Sequence, residues 1–420
     1  MALIVQKFGG SSVSDATAMK RVARRIAETR RAGNDVVVVV SAMGDTTDDL
    51  LDLAAQITDD PPAREMDILL TAGERISMAL LAMAIHAEGV EARSYTGQQA
   101  GVMTDSKYGK ASIIGVVPDR IIRTLHDGQV AIVAGFQGVN ERNDVTTLGR
   151  GGSDTTAVAI AAALKADVCE IYTDVDGVYT ADPRVVRTAR RIPRLSTEET
   201  LELASHGAKI LHLRAVEFAR RYNVPLHVRS SFSDLEGTWV VNPTEEDQME
   251  EPIIAGVAHD RTQGKITVVG VKDVPGSAAR IFTTVARADA NIDMIVQNIS
   301  HESGKTDISF TLPEKDVPAT VLALQEEADV LAFDDILYDA NIGIVSLVGA
   351  GMRTNTGVSA TLFGALAQAG VNIQMISTSE IRISVVTDAD RVDDAVRAIH
   401  TAFGLDSADT EAVVYGGTGR

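Results

Sequence analysis

Residues 149–154, Gly-Arg-Gly-Gly-Ser-Asp, join two runs of different character. Ahead of them, Val130–Ala134 is apolar and β-branched, which predicts a buried strand. Behind them, residues 155–164 are rich in alanine and predict a helix, whose N-cap oxygen we expect from Ser153 or Asp154. Glycines at a helix N-terminus let backbone N–H groups gather where the partial charge is positive. The stretch therefore predicts an α/β fold with either an anion-binding loop or an ordinary capped turn.

Three charged side chains bear on that choice. The guanidinium of Arg150 matches a carboxylate or phosphate in bidentate fashion, and Asp154 can orient a lysine or a metal-bound phosphate. Lys7 stands at the end of the first apolar run, next to Gly9 and Gly10. A lysine so placed can stabilise a phosphoryl group during transfer, and a solvated lysine at a strand end is the plain alternative.

Composition narrows the class of protein. The 420 residues, 45% hydrophobic and 23% charged, suffice for two or three soluble globular domains. A net charge of −19 and only 4% aromatic residues argue against nucleic-acid and anionic-membrane binding. Cys169, the single cysteine, excludes an intramolecular disulfide and a multi-cysteine zinc site, and we predict that it is buried. We expect a cytoplasmic protein, because no signal peptide and no uncharged membrane-spanning run is visible.

The beginning of the chain predicts a βαβ unit. Residues 3–6 form an apolar strand, a helix follows from residues 14–15 to about 32, and residues 36–40 form a second apolar strand. Such a unit places two parallel strands side by side. Ligands bind at the carboxyl ends of strands in open α/β sheets, so the loops at Lys7 and Ser41 are expected to face one site.

Further elements extend this α/β domain to residue 241. Strands are predicted at Val168–Thr173 and Leu226–Ser230, and helices at residues 64–88, 198–205 and 209–222. Residues 242–252 are acidic, contain two prolines and lack an apolar period, which predicts a linker.

After the linker the sequence repeats at a spacing of about 80 residues: residues 291–295 match residues 372–376. A repeat of this length found twice predicts two copies of a small domain. Each copy has the order strand, helix, strand, strand, helix, strand of ferredoxin-like folds. We assign residues 264–338 to the first copy and residues 253–263 and 339–420 to the second.

Residues 173–184, Thr-Asp-Val-Asp-Gly-Val-Tyr-Thr-Ala-Asp-Pro-Arg, follow a predicted strand. They lack the final glutamate of a calcium-binding loop. A nucleotide pocket explains them better, with Tyr179 against a base, Asp174 and Asp182 on polar groups, and Arg184 near phosphate.

Five motifs together resemble the aspartate kinase family, in its actinobacterial form. They are KFGGSS from Lys7, VVSAMGDTTD around Ser41, TAGERIS around Glu74, TLGRGGSDTTA around Arg150 and TDVDGVYTADPR around Asp174. Their order and spacing agree along the chain, and the repeated tail resembles paired ACT modules. The resemblance implies the amino-acid-kinase fold, a mostly parallel sheet between helical layers, in residues 1–241, followed by two βαββαβ modules. One departure is Leu213, where many relatives have proline.

The resemblance also implies residue roles. Lys7 would stabilise the transferring phosphoryl group, and Asp154 would hold that lysine. The residues implied to bind aspartate, with Glu74 on its ammonium and Arg150 on its α-carboxylate, are Ser41, Thr47, Glu74, Arg150, Gly151, Gly152 and Ser153. Those implied to bind ATP are Lys7, Phe8, Gly9, Gly10, Ser11, Thr173, Asp174, Tyr179, Asp182, Arg184 and Lys209. Magnesium (Mg2+) would bridge the ATP phosphates, and no protein side chain is assigned to it.

The implied reaction moves the γ-phosphoryl group of ATP to the β-carboxylate of L-aspartate and gives 4-phospho-L-aspartate, a precursor of lysine, threonine and methionine. The carboxylate is ionised at neutral pH, so the attack needs no general base. Two alternatives remain open. One is a kinase for another amino acid, such as glutamate, and the other is an ACT-based sensor with a vestigial kinase domain.

The ACT pair implies feedback control by lysine, threonine or both. The candidate effector residues are Asp273, Gly276, Ala278, Asn291, Ile292, Asp293 and Gln297 in the first module, and Asn372 and Ile373 in the second. An oligomer is also implied, either of this chain alone or as a heterotetramer with a short chain that starts at Met249. A chance methionine in the linker is nearly as well supported.

Overall fold

A computed structural model describes residues 1–208, 210–242, 253–299, 304–407 and 412–415. Lys209, Met249 and the predicted linker beyond Asn242 lie outside the described residues. The described strands form one sheet of eight strands and three sheets of four strands.

In the first half of the chain the strands are β1 Leu3–Phe8, β2 Asp35–Val40, β3 Ala92–Tyr95, β4 Val102–Thr104, β5 Ile113–Val116, β6 Val130–Ala134, β7 Gln137–Val139, β8 Val145–Thr147, β9 Val168–Thr173, β10 Arg194–Ser196, β11 Leu226–Ser230 and β12 Thr238–Val241. The helices are α1 Ala16–Arg31, α2 Thr46–Ala55, α3 Ala63–Leu70, α4 Ala72–Ala87, α5 Asp119–His126, α6 Gly152–Leu164, α7 Thr197–Ser205 and α8 Leu213–Tyr222.

In the second half the strands are β13 Gly256–Asp260, β14 Gln263–Lys272, β15 Ile295–Ile299, β16 Lys305–Pro313, β17 Asp335–Asp339, β18 Ile342–Val348, β19 Met375–Thr378 and β20 Arg382–Asp388. The helices are α9 Ser277–Arg287, α10 Val317–Glu326, α11 Ala328–Leu331, α12 Val358–Gln368 and α13 Val392–Ala402.

The eight-stranded sheet has the order β10-β12-β11-β9-β1-β2-β6-β3, and every pair of neighbouring strands is parallel except β11 and β12, which are antiparallel to each other. Alternate valines of β2 face opposite sides: Val37 and Val39 pack with α6, whereas Val38 packs with α1 and α4. A parallel sheet covered on both faces needs continuous apolar strands. For this reason β6, β9 and β11 have the bounds that the sequence predicts.

Two helix starts follow from their caps. The Asp15 carboxylate accepts a hydrogen bond from the Ala18 N–H at 2.8 Å, which begins α1 as predicted. The helix predicted from residue 209 instead begins at Leu213, because His212 has extended backbone and serves as its N-cap.

The predicted N-cap of α6 is wrong. The helix begins at Gly152, and Gly151 precedes it in the left-handed region, with φ of 70° and no side-chain cap bond. A Cβ on Gly151 would lie 1.9 Å from Cγ of His212, so glycine is required. Ser153 and Asp154 therefore lie inside the first turn, and Asp154 pairs with Lys7.

The run Ala63–Ala87 is long and apolar enough to cross a membrane by length and composition alone. Here it forms α3 and α4 and carries a fully buried acid, Asp67. The Asp67 carboxylate accepts hydrogen bonds from the Gly109 N–H and from the N–H and hydroxyl of Thr147. A buried acid with several protein donors is typical of a core helix.

The two sheets of the second half have the orders β15-β16-β14-β17 and β13-β18-β20-β19, with antiparallel neighbours. β13 precedes the first repeat, yet it pairs with β18 of the second, with Val257 opposite Leu347. Within the described residues the second repeat ends at α13, so β13 supplies its fourth strand.

The second of these sheets packs on the segment that follows β9. Val175 and Tyr179 share an apolar cluster with Val257. The Val257 N–H donates to the Thr180 carbonyl at 2.7 Å, and the Thr180 hydroxyl lies 2.8 Å from Nε2 of His400 on α13. The predicted nucleotide loop is thus held by the second half of the chain.

Candidate active site

Lys7 and Asp154 form an ion pair at the carboxyl end of the central sheet. Nζ of Lys7 lies 2.6 Å from Oδ1 of Asp154, and the two side chains are 13% and 12% exposed. β1 carries the lysine and the first turn of α6 carries the aspartate, so two predicted glycine loops meet here. With little water nearby, these charges act strongly on an anion placed between the loops.

The loop after β1 packs against the loop after β2. The Ser41 N–H donates to the Phe8 carbonyl at 3.1 Å, and the Gly44 N–H donates to the Gly10 carbonyl at 3.2 Å. A Cβ on Gly10 would lie 2.9 Å from the Gly44 carbonyl oxygen, so this approach needs glycine. The loop residues Phe8, Gly9, Gly10 and Ser11 thus lie beside Ser41, and Thr47 lies in the first turn of α2.

Glu74 lies beneath the Ser41 loop and is 3% exposed. Its Oε1 accepts a hydrogen bond from the Ala42 N–H at 3.2 Å. Its Oε2 is buried and has no hydrogen-bond partner among the described residues. Burial raises the pKa of Glu74 to about 7, against the hydrogen bonds from its own backbone N–H and that of Ala42. A buried carboxylate oxygen without a partner suits an ammonium group.

The second glycine loop presents a free cation. Arg150 is exposed and, within the part of the chain that the structure describes, it makes no hydrogen bond or ion pair. Ser153 is buried against Gly135, where an added Cβ would lie 2.7 Å from the serine Oγ. The loop thus presents a guanidinium to solvent four residues before Asp154 in the chain.

A cleft of about 250 Å³ lies beside this centre. Five of the residues predicted to hold a nucleotide line it: Thr173, Asp174, Tyr179, Asp182 and Arg184. Its far wall includes Gly207, Ala208 and Ile210, which flank the undescribed Lys209. The other described residues predicted to hold a nucleotide lie at the end of β1 and in the loop after it, at the Lys7 centre.

Charged and polar groups of the cleft are partly paired with one another. Arg184 Nη2 lies 3.8 Å from the Asp174 carboxylate, and the Arg184 N–H donates to Asp182 at 2.8 Å. The Thr173 hydroxyl donates to Asp174 at 3.0 Å. Burial raises the pKa of Tyr179 to about 12, so its hydroxyl stays a donor at neutral pH.

Strand pairing brings the cleft and the Lys7 centre together. β1 and β9 are neighbours, and Phe8 is paired with Tyr172, the residue before Thr173. The two rings are stacked with centroids 4.6 Å apart. A phosphate chain can therefore extend from the cleft across the end of β9 to Lys7.

The sequence interpretation missed His212. Its ring fills the space above Gly151, and its buried Nδ1 has no hydrogen-bond partner among the described residues. Burial lowers the pKa of His212, which keeps the ring neutral at pH 7. The histidine stands three residues after Lys209, in a segment that the resemblance includes. It has no local feature that marks it.

The predicted effector residues lie in the two sheet-containing modules of the second half of the chain. Gly276 precedes α9 as its N-cap, with a φ of 94°, and Ala278 lies in the first turn of that helix, while Asp273 lies three residues before Gly276. Asp293 lies just before β15 and its Oδ1 is 3.8 Å from Nε2 of His206, at the end of α7. Gln297 lies in the edge strand β15, Asn291 and Ile292 precede that strand, and Asn372 and Ile373 precede the edge strand β19.

Comparison with known proteins assigns both halves of the chain to families. The amino acid kinase family matches residues 2–230, and the ACT domain family matches residues 266–328 and 345–403. The aspartokinase of Mycolicibacterium smegmatis is 62% identical over 422 residues and covers 100% of both chains. This chain belongs to the aspartokinase family. The aspartokinase of Corynebacterium glutamicum is 57% identical over 422 residues, again covering 100% of both chains.

Solved aspartokinases have the same architecture. Aspartokinase III of E. coli in complex with aspartate and ADP is 26% identical, with a TM-score of 0.81 over 95% of this chain and 99% of that chain. The same enzyme with lysine and aspartate is 27% identical, with a TM-score of 0.72 over 96% and 99%. The predicted fold class and the predicted ATP-dependent aspartate kinase with ACT domains are thereby confirmed.

Proposed function

We propose that this aspartokinase-family chain transfers the γ-phosphoryl group of ATP to the β-carboxylate of L-aspartate through the residues described above. The observation that carries the proposal is the Lys7–Asp154 pair at the meeting point of two glycine loops. The buried Glu74 oxygen lies on the Ser41 side of that point and the cleft on the β9 side.

Each group has a task that its surroundings support. Lys7 neutralises the negative charge of the phosphoryl group in transit, and Asp154 fixes the lysine in place. Glu74 accepts the substrate ammonium, and Arg150 grips the α-carboxylate with its two-pronged guanidinium. The smaller residues Ser41, Thr47, Gly151, Gly152 and Ser153 shape the aspartate site.

The cleft holds the nucleotide. Tyr179 borders the base, Asp174 and Asp182 meet polar groups, and Arg184 approaches the phosphates, with Thr173 and Lys209 completing the site. The loop from Phe8 to Ser11 contributes its N–H groups to the phosphates.

Magnesium is proposed to enter with ATP. In the described ranges no group of three His, Cys, Asp or Glu side chains is arranged to hold a metal ion. This fits a cation held mostly by phosphate oxygens and water, with Asp174 and Asp182 as the carboxylates that line the cleft. When bound, magnesium neutralises phosphate charge.

An ADP-release assay over a panel of amino acids tests the proposal, with hydroxylamine added to trap an acyl phosphate. We expect turnover with aspartate and at least a hundredfold less with glutamate, with formation of an aspartyl hydroxamate. Turnover with glutamate equal to that with aspartate, or ADP release without hydroxamate, would contradict it.

We further propose that the enzyme is cytoplasmic and that lysine, threonine or both inhibit it through the ACT modules.

We also propose that the chain works as an oligomer, which includes a short partner chain starting at Met249. Expressing the native gene and weighing the purified products tests for it. The short chain should appear, and it should vanish when the full chain carries Met249→Leu; a full-length product alone would rule it out.

A further inference from the structure

The described residues after α13 contact the first half of the chain. After α13, the Ser407 N–H donates to the Thr188 carbonyl at 2.7 Å, and the Thr188 hydroxyl donates to Asp406 at 2.6 Å. Further on, the Ala412 N–H donates to the Arg187 carbonyl at 2.9 Å. Asp406, Ser407 and Ala412 thus contact the segment that follows the predicted nucleotide loop.

Its last described residues, 412–415, which we name the C-terminal strap, reach the nucleotide loop itself. Val414 forms an antiparallel bridge with Val175, and the Tyr415 N–H donates to the Asp174 carbonyl at 2.9 Å. The Tyr415 ring stacks on Phe232 with centroids 5.8 Å apart and planes 4° apart. Two backbone contacts and one ring contact therefore fix the strap at the end of β9.

Alternate side chains of the strap point to different surroundings, as expected for an extended segment. Val414 is half-buried and lines the cleft together with Asp174 and Arg184. Val413 is 48% exposed. The cleft is charged at Asp174, Asp182 and Arg184, and Val414 adds to the apolar part of its wall, where Leu203, Ile210 and Val257 also lie.

We infer that the C-terminal strap is a wall of the nucleotide site and that Val414 is a binding residue for the apolar face of the base or ribose. The inference rests on the proposed function, because it takes the cleft to be the ATP site. It adds a group from the regulatory half of the same chain to that site. An apolar side chain on one side and polar groups on the other match the two sides of a nucleoside.

Matched substitutions in the full chain test the inference. Val414→Asp places a carboxylate among Asp174 and Asp182, so we expect the KM for ATP to rise about tenfold or more. Val414→Ala removes only apolar contact, and we expect a rise of about threefold to fivefold. Val413→Asp is the control, with a change of less than about twofold. In all three variants the KM for aspartate should change less than about twofold, and calorimetric titration with ADP should reproduce the order of the affinities.

The outcomes separate this inference from the proposed site. Arg184→Ala, outside the strap, reports on whether the cleft holds ATP. If Arg184→Ala raises the KM for ATP and both Val414 variants leave it unchanged with normal melting temperatures, the strap is not part of the site and the inference fails. If Arg184→Ala and the Val414 variants all leave it unchanged, the nucleotide assignment of the cleft fails with it. If Val414→Asp does not fold, the KM for ATP of Val414→Ala tests the inference instead.

Discussion

The Glu74 carboxyl group is buried: one of its oxygens accepts a hydrogen bond from the Ala42 N–H, and the other has no partner among the described residues. Burial raises its pKa to about 7, so below that pH the group is largely neutral and attracts an ammonium weakly. We expect the KM for aspartate to fall as the pH rises from 6 to 8 and to level off above. Glu74→Gln should flatten this profile and raise the KM at pH 8. A profile that is the same in the variant would remove Glu74 from ammonium binding.

Lys7 and Asp154 allow the sharpest test of catalysis, because each is nearly buried and each has the other as its charge partner. Lys7→Ala and Asp154→Ala should each lower turnover by about a hundredfold or more, the usual scale for a group that stabilises transferred charge. Lys20→Ala, at an exposed position on α1, is the matched control and should keep full turnover. Near-normal turnover in either site variant, with unchanged circular dichroism, would exclude that residue from the mechanism.

Arg150 is expected to act on binding rather than on turnover. Lysine keeps the charge but cannot copy the two-pronged hydrogen bonding of a guanidinium. Arg150→Lys should therefore raise the KM for aspartate by about tenfold while kcat changes little. Arg142→Lys, at another exposed arginine, should change neither constant. An unaltered KM in Arg150→Lys would refute the carboxylate role.

The start of α6 depends on Gly151, which has a φ of 70° and on which an added Cβ would lie 1.9 Å from Cγ of His212. Gly151→Ala should lower the free energy of unfolding by more than the roughly 1 kcal/mol expected for an alanine in the left-handed region, because the ring of His212 must also move. Gly33→Ala is the control, since Gly33 has a φ of +90° but open space around its Cβ position. Thermal unfolding should show a larger loss of stability for Gly151→Ala than for Gly33→Ala. Equal losses of stability would mean that the clash with His212 adds nothing to the cost of the substitution.

The same helix shows what local sequence can and cannot predict. β6 and β9 have their predicted bounds, because a β-branched apolar run between two helical layers has no competing structure. The cap of α6 was predicted wrongly because the carboxylate of Asp154 pairs with Lys7, a residue far away in the chain. His212 and the strap residue Val414 were missed for the same reason: each meets the site only through tertiary contacts. The motifs predicted the positions of the loops in the chain, whereas the contacts between their side chains depend on the tertiary structure.

A junction at His206 connects the first half of the chain to both sheets of the second half. His206, at the end of α7, lies 3.8 Å from Asp293 of the first module and contacts Arg382 of the second. Burial and the charge of Arg382 lower the pKa of His206, which therefore stays neutral at pH 7. The next residue, Gly207, lines the cleft that we propose to bind ATP. A ligand that engages Asp293 would therefore disturb a contact one residue away from the proposed ATP site.

This arrangement predicts how effectors act on the full chain. Lysine or threonine should inhibit with a coupling of about 1–3 kcal/mol, seen mainly as a higher KM for ATP. Asp273→Ala should abolish effector binding in calorimetry and leave activity without effector unchanged. His206→Gln should keep that binding but weaken the inhibition, because the effector site would then lose its contact with α7. Full inhibition of His206→Gln would place the coupling elsewhere, and absence of binding by both amino acids to the unaltered chain would refute the regulatory role.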